Sequence, residues 1–428
     1  MSISLNHMRI RFVLILVSLA LSPLLASGAV LDAAAQANIR MEADYILSCQ
    51  YKGSSSYGAF NNVHGDPTWV VPGENAVAIL GLVAASDALG DSKYRTAANA
   101  AADYLVSVQT SDGAWYNQYS FSNPTDLAKG LRHTAETMMA YHTLGYSASR
   151  YNSMTKAAQF LLNCQNTRYK LGINDGLVGG GKNASGGYET WRWASDNAFA
   201  YQAFQSAADW ARTYGGKRGK SQASTFEQAA NRILTGMQTY LLASSGDHWY
   251  RSIDKYGQPV ALKSDWIGYA PLMLNLPIPQ ATAKAVADWI SRSLQQSDGS
   301  VVWDDAASSA RKSPGYSFQA SLAWLNAGVP EYANAAMDWV ETSGLWQLQQ
   351  DYNGLSGGWI DWIEGTTEAP WWQRFIDTSA YYITTKTWNS NTTFFSLPEP
   401  STTVMMLVGL VLLRCRRKSV MPSGGKSE

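Results

Sequence analysis

Charge is scarce in this 428-residue chain. Lys+Arg and Asp+Glu number 33 each, so the formal net charge is zero, and only 15% of residues are charged, against about 25% in an ordinary soluble chain. A protein that grips nucleic acid through its phosphates needs a basic surplus, so no nucleic-acid partner is expected. Cysteine is nearly absent: Cys49, Cys164 and Cys415 are too few, and odd in number, for a disulfide framework. The five histidines are scattered with no HExxH or CxxC spacing, which leaves no pattern for a structural zinc. Gly179-Gly180-Gly181-Lys182 lacks Walker spacing and a preceding strand, so it is not read as a phosphate loop. No metal and no cofactor is called for. What abounds is aromatic. There are 17 Trp and 23 Tyr, residues that join an apolar body to a polar handle, and at 46% hydrophobic the chain is not of a disordered class.

Both ends read as addresses. Arg9 and Arg11, the apolar stretch Phe12 to Leu25, and the small residues Ala26 to Ala29 predict a secretory signal peptide over 1–29. The C-terminal segment, 396–428, carries Pro398-Glu399-Pro400, an apolar run Val404–Leu413, then Arg414, Arg416, Arg417 and Lys418. Those three parts, in that order, resemble the PEP-CTERM sorting signal. The resemblance implies export by a Gram-negative bacterium and an exosortase-type processing enzyme as partner. It also implies at least transient attachment to the inner membrane, then delivery to the cell surface or extracellular matrix. The alternative is a short tail anchor held inside by its positive cluster.

Between the ends, over 30–395, one helical phrase recurs: alanines, an aromatic-aliphatic or aliphatic pair, then Gln. Tyr45-Ile46 leads to Gln50, Tyr104-Leu105 to Gln109, Phe160-Leu161 to Gln165, Ile233-Leu234 to Gln238, Trp289-Ile290 to Gln295 and Trp339-Val340 loosely to Gln347. Roughly sixty residues separate successive phrases, a period that marks a repeat architecture. A long loop with glycine before an aromatic follows each phrase, as at Gly58, Gly113, Gly187, Gly246, Gly299 and Gly358. A second helical run then starts near Glu74, Leu131, Ser195, Ser264, Tyr316 and Asp377, and Gly or Pro turns lead onward. The first type of helix is amphipathic. The second is apolar or small around most of its circumference, as a helix covered on both sides must be. The predicted fold is all-α: an (α/α)6 toroid of six helical hairpins, flanked by the signal peptide and a hydrophobic sorting helix, with an open solenoid as the alternative.

Residues 101–115, AADYLVSVQTSDGAW, resemble the repeat of terpenoid cyclases and protein prenyltransferases. The protonating Asp-x-Asp-Asp of the cyclases is missing, and the prenyltransferase zinc ligands have no counterpart. The Trp191-Arg192-Trp193-Ala194-Ser195-Asp196-Asn197 segment resembles the loop-to-helix Trp and Asp-Asn of the six-hairpin glycosidase superfamily. That resemblance implies a sugar cleft where long loops meet inner-helix starts.

Glycoside hydrolysis needs two facing carboxyl groups, one protonated as general acid. The acids near inner-helix starts are Glu74, Glu136, Asp196, Asp265 and Asp377. Glu136, Asp196 and Asp265 are the candidate catalytic residues, from hairpins two, three and four. Ser195-Asp196 and Ser264-Asp265 also suit a helix start in its own right, by capping and by the helix dipole. His133, three residues before Glu136, shares its helical face and would serve as the base of a lyase. Trp69, Trp191, Trp193, Trp266, Trp371 and Trp372, with His133, are the candidate substrate-binding residues. They belong to a larger set of loop tryptophans (Trp115, Trp249, Trp303, Trp359 and Trp362 among them) whose rings suit stacking on sugars. The expected activity is that of an exported glycoside hydrolase or polysaccharide lyase on an extracellular polysaccharide. The rival readings are a non-catalytic glycan- or matrix-binding toroid and a toroid that binds an isoprenoid.

Overall fold

The computed structural model describes residues 31–388 apart from 54–56, 63–68, 121, 167–174, 260–265, 303–310, 343–358, 361–362, 365–366 and 369–373. The segments expected as signal peptide (1–29) and sorting tail (396–428), with Asp265, Trp371 and Trp372, therefore lie outside the described residues. No described helix is long and apolar enough to cross a membrane.

Among the described residues, twelve α-helices alternate between two rings. The outer ring is α1 (Ala33–Ser48), α3 (Ser92–Ser107), α5 (Ala148–Asn166), α7 (Gly216–Gly236), α9 (Gln280–Leu294) and α11 (Pro330–Thr342). The inner ring is α2 (Pro72–Leu89), α4 (Leu131–Leu144), α6 (Ala194–Tyr214), α8 (Ala270–Met273), α10 (Pro314–Ala327) and α12 (Ile376–Thr387). Each inner helix packs on the next, and α12 returns to α2, while α1 lies across that seam against both. The first described helix is thus the outer partner of the last described one, and the ring closes, as an α/α toroid does and an open solenoid does not. At the seam a Cβ on Gly81 of α2 would lie 2.7 Å from Cα of Ala380, so glycine is what lets the two helices touch.

The two rings differ for the reason their sequences give. The α2 helix opens with Pro72 in its first turn, ends at Gly90 with φ of 67°, and is buried around almost its whole circumference; these are the expected start and stop residues. The α3 helix buries one stripe, Tyr94, Ala97, Ala98, Ala101, Ala102, Tyr104 and Leu105, at helical spacing. Asp91 caps it by accepting from the Lys93 amide at 3.1 Å.

The recurring glutamine has a mechanical task. Gln50 Nε2 donates to the carbonyls of Gly58 (3.0 Å) and Ala97 (2.9 Å). Gln109 does the same to Gly113 (2.8 Å) and Ser153 (2.9 Å). Gln165 reaches Gly176 (2.7 Å) and Ala229 (3.0 Å), and Gln295 reaches Gly299 (3.3 Å) and Tyr332 (3.0 Å). Each time one carbonyl belongs to the loop and the other to the following outer helix. The loop glycines lie at φ of 95°, 93°, 74° and 93°, and a Cβ on any of them would come within 2.2–2.7 Å of a carbonyl oxygen of that next helix. Only glycine tolerates both conditions. The third repeat therefore uses Gly176, not Gly187, which sits further along its loop.

Hairpin four breaks the pattern. After α7 the chain makes a π-helical turn, Met237–Leu241, and a Cβ on Gly246 would meet nothing within 4 Å. Its inner helix is not the full-length run expected from Ser264 onward. A 3-10 turn, Trp266–Tyr269, leads into the four-residue α8. Asn275 at φ of 50°, then Pro277 and Pro279, prevent its extension. Cys49 and Cys164 are buried free thiols.

The long loops carry only short strands, and these pair in a consistent way. Residues just before an inner helix pair with the loop of the following hairpin. Val70 bridges Tyr119, Lys129-Gly130 pairs with Gly181-Lys182, Arg192-Trp193 with Ser252-Ile253, and Arg311-Lys312 with Ile363-Glu364. The mouth of the toroid is stitched around its rim, and the inner-helix starts are held in place.

Candidate functional site

Glu74, His133, Asp196 and Tyr316 are each the third residue of their inner helix, and Asp377 is the second of its own. The residue after three of them clamps a loop. Asn75 bonds both the amide (2.7 Å) and the carbonyl (2.8 Å) of Phe60. Asn197 does so to Val178, at 2.9 and 3.2 Å, and the Ser317 hydroxyl accepts from the Val301 amide at 3.2 Å. With those side chains turned into the layer between the rings, Glu74, Asp196 and Asp377, together with His133, stay half-exposed at the mouth.

The cluster is organised by α4. Arg132 Nε donates to Glu136 Oε1 at 2.6 Å, and Glu136 Oε2 lies 3.7 Å from His133 Nδ1. Glu136 is 2% exposed, while the side chains of Arg132 and His133 keep 27% and 24%, so the pair presents its cationic and imidazole sides upward. Two glycines make room. A Cβ on Gly73 would fall 2.2 Å from Glu136 Oε2 and 2.3 Å from His133 Nδ1, and one on Gly130 would fall 2.7 Å from the His133 ring. The carboxylate is thereby seated against the first turn of α2, where a helix dipole favours negative charge.

Electrostatics separates the carboxyls into two kinds. Burial works against ionised Glu136, but Arg132 and then His133 outweigh it and hold the group below the usual carboxylate range. For Asp196 burial dominates and pushes it up to about 6; Glu136 adds to the rise, and Arg132 and His133 only partly oppose it. Asp377 is likewise pushed up by burial to about 6, against the opposing pull of the Thr378 amide at 2.8 Å and of Arg132. Among the described residues neither Asp196 nor Asp377 makes an ion pair within 4 Å; the Ser195 hydroxyl stands 3.5 Å from Asp196. Burial likewise raises the Tyr381 phenol beside Arg132. Perturbed carboxyls that keep some exposure to solvent are what an acid–base site requires.

Of the residues singled out from sequence, Glu136, Asp196 and His133 converge on Arg132. Asp265, Trp371 and Trp372 fall outside the described residues, as does the side chain of Trp266. Trp193 caps the start of α6 and is half-buried, with the Arg251 guanidinium 5.0 Å above its ring. Trp191 is 41% exposed, and Trp69 is half-buried beside the Val70 bridge. Three further loop tryptophans correct the expected aromatic face. Trp115, Trp249 and Trp359 are buried in the core, Trp115 donating to the Leu105 carbonyl at 2.7 Å and Trp359 packing edge-on to Phe318. A loop that returns to the space between the rings puts its first large ring inside.

Sequence reasoning missed Arg132 and passed over Asp377. The first was visible as an Arg-Glu pair at i, i+4. The second stands at an inner-helix start as Asp196 does, but only ring closure brings α12 within electrostatic reach of α4.

The sequence matches no protein-family model and no curated protein. Solved structures do match. A D-mannose isomerase superposes with a TM-score of 0.63 at 13% identity, covering 83% of this chain and 97% of its own. The cellobiose 2-epimerase of Bacillus thermoamylovorans gives 0.61 at 11%, covering 81% and 97%. An α-amylase from Clostridium perfringens gives 0.58 at 10%, covering 82% and 97%. The fold this chain shares with them is the six-hairpin α/α toroid.

Proposed function

We propose that this chain is a carbohydrate-active enzyme, a glycoside hydrolase whose site is the mouth of the toroid. One observation carries the reading: two carboxyls without ion-pair partners among the described residues, from α6 and α12, lie within electrostatic reach of an arginine already neutralised by Glu136. Asp196, raised to about 6 by burial, gives its proton to the glycosidic oxygen as the carbon–oxygen bond breaks. Asp377 is the facing carboxylate that attacks the sugar or activates water. Glu136 stays ionised, fixes Arg132 and orients His133, and so positions the site without carrying the proton. Trp191 and Trp193 offer rings to the sugar faces. The signal-like segment 1–29 and the PEP-CTERM-like tail 396–428 support export and surface delivery, with 30–395 as the working domain and an extracellular polysaccharide as substrate.

A second reading rests on His133. Its Nδ1 faces Glu136 and its ring is partly exposed, which suits proton transfer at a carbon next to a carbonyl; an epimerase and an isomerase are among the proteins of like fold. Incubating purified 30–395 and its Asp196→Asn variant with a glycan panel separates the readings. Hydrolysis gives new reducing ends that the variant fails to produce. Epimerisation changes the sugar with no new ends, and retention without turnover indicates a glycan-binding toroid.

A further inference from the structure

On the rim strands and at the inner-helix starts, the cations whose side chains the structure describes have a counter-charge or a ring. Arg132 is held by Glu136 at 2.6 Å, and Arg192 by Asp175 at 2.6 Å. Lys129 and Lys182 both bond Asp112, at 2.8 and 3.0 Å, and Lys312 pairs with Asp298. Arg251 lies over the Trp193 ring. The anions are distributed in the opposite way. Besides Glu136, the mouth presents Asp196 and Asp377, neither with an ion pair among the described residues.

From this imbalance we infer that the site takes uncharged glycans and rejects uronic-acid polymers, which removes the polysaccharide-lyase reading. The inference rests on the mouth being the sugar site. A lyase acting on a uronate must neutralise the sugar carboxylate before the adjacent proton can leave, and it needs an uncommitted cation to do so. Here Arg132 would have to exchange Glu136 for the substrate, leaving a carboxylate that is 2% exposed without its partner. Breaking such a pair is costly. A uronate entering the mouth would also lie beside Asp196 and Asp377, where like charges repel across a poorly screened gap. A neutral sugar meets neither obstacle, and its hydroxyls can bond to carboxyls in either protonation state.

The test is affinity electrophoresis and turnover of purified 30–395 on neutral glucans, mannans and galactans against polygalacturonate and alginate. Retention by a neutral glycan, with uronate polymers held on the order of tenfold more weakly at low salt and the gap narrowing as salt screens the charges, supports the inference. Uronate cleavage that yields an unsaturated, ultraviolet-absorbing product overturns it and leaves the carbohydrate-enzyme reading standing. Neutral retention with no turnover supports it while overturning the hydrolase reading. No retention of any neutral glycan overturns it. Glu136→Gln, checked for folding by circular dichroism, frees Arg132 and should raise uronate retention over wild type. A folded variant that shows no rise counts against Arg132 as the neutralised cation. If the variant does not fold, the salt dependence of the wild type decides.

Discussion

Two sets of aspartates stand at the same end of the toroid and are treated in opposite ways. Asp112 and Asp298 follow the recurring glutamine and are gripped by lysines on rim strands: Lys129 and Lys182 on Asp112, Lys312 on Asp298. Burial works against ionisation in both, but the lysines win and hold both carboxyls below the usual range. Asp196 and Asp377 each follow a rim strand of their own, Arg192–Trp193 and Arg374–Phe375, at the inner-helix starts, and have no lysine partner among the described residues; burial leaves them at about 6. The lesson is that position at the mouth does not make a carboxyl reactive. Among the described residues, what separates the two sets is whether the loop supplies a lysine. The paired set holds the rim together, and the unpaired set is left able to exchange protons.

The sharpest way to break that comparison is to remove one carboxyl from each set. Asp196→Asn keeps the shape and deletes the titrating group, so turnover of whichever glycan the wild type cleaves should fall by roughly 10²–10⁴-fold. The melting temperature should not fall, because no ion pair is lost. Loss of fold together with activity would put Asp196 in the structural set.

Asp112→Asn should do the reverse. It leaves Lys129 and Lys182 without their shared carboxylate, in a site where the three side chains are 17–29% exposed. That lies between a surface pair and a buried one, so the expected loss is about 2 kcal/mol of stability, read by urea or thermal unfolding. Turnover should stay within about threefold of wild type, provided the rim strand still holds the start of α4.

Much of this frame was legible in the sequence, for a reason the structure makes plain. Gln50, Gln109, Gln165 and Gln295 recur because each must reach two carbonyls at once, and a residue with a fixed geometric task leaves a period behind. The inner-helix start at Asp196 was legible because the Ser-Asp-Asn run has both a capping and a clamping use. Hairpin four was not, since the Gln238 phrase persists there without the contact and the prolines after α8 override it. Trp115, Trp249 and Trp359 were misassigned because the glycine-aromatic phrase is the same whether the ring turns outward or into the core. That Asp196 and Asp377 both come within reach of Arg132 was not legible either: α12 nears α4 only when it closes on α2.

A smaller effect tests the frame itself. Gln109→Ala should cost about 1–2 kcal/mol, because two carbonyls, of Gly113 and Ser153, lose their donor in a partly buried site. Gln238→Ala, at the repeat position where hairpin four departs from the pattern, should cost less than about 0.5 kcal/mol. Equal losses in thermal unfolding would mean that the glutamine phrase owes its recurrence to something other than the loop clamp.

The smallest expected effect is in the pH dependence of stability, and it sets the two kinds of aspartate against each other in one curve. Asp196 and Asp377 have folded-state values raised to about 6, above the ~3.9 of an unfolded aspartate. Between those limits the folded state binds more protons than the unfolded one, so stability rises as pH falls from about 6 towards 4 and is flat above. Solvent at the mouth reduces the full effect to about 1 kcal/mol for each group. Asp112 and Asp298 are depressed, so what they contribute is complete above ~4 and is lost as acid protonates them below it. The difference between wild type and Asp196→Asn isolates the first contribution from every other titrating group. In urea melts the variant should be the more stable by about 1 kcal/mol at pH 7, with the gap closing by about pH 4. A gap of the opposite sign, or one that does not change across that window, would mean that Asp196 is stabilised as a carboxylate and belongs with the aspartates of the rim.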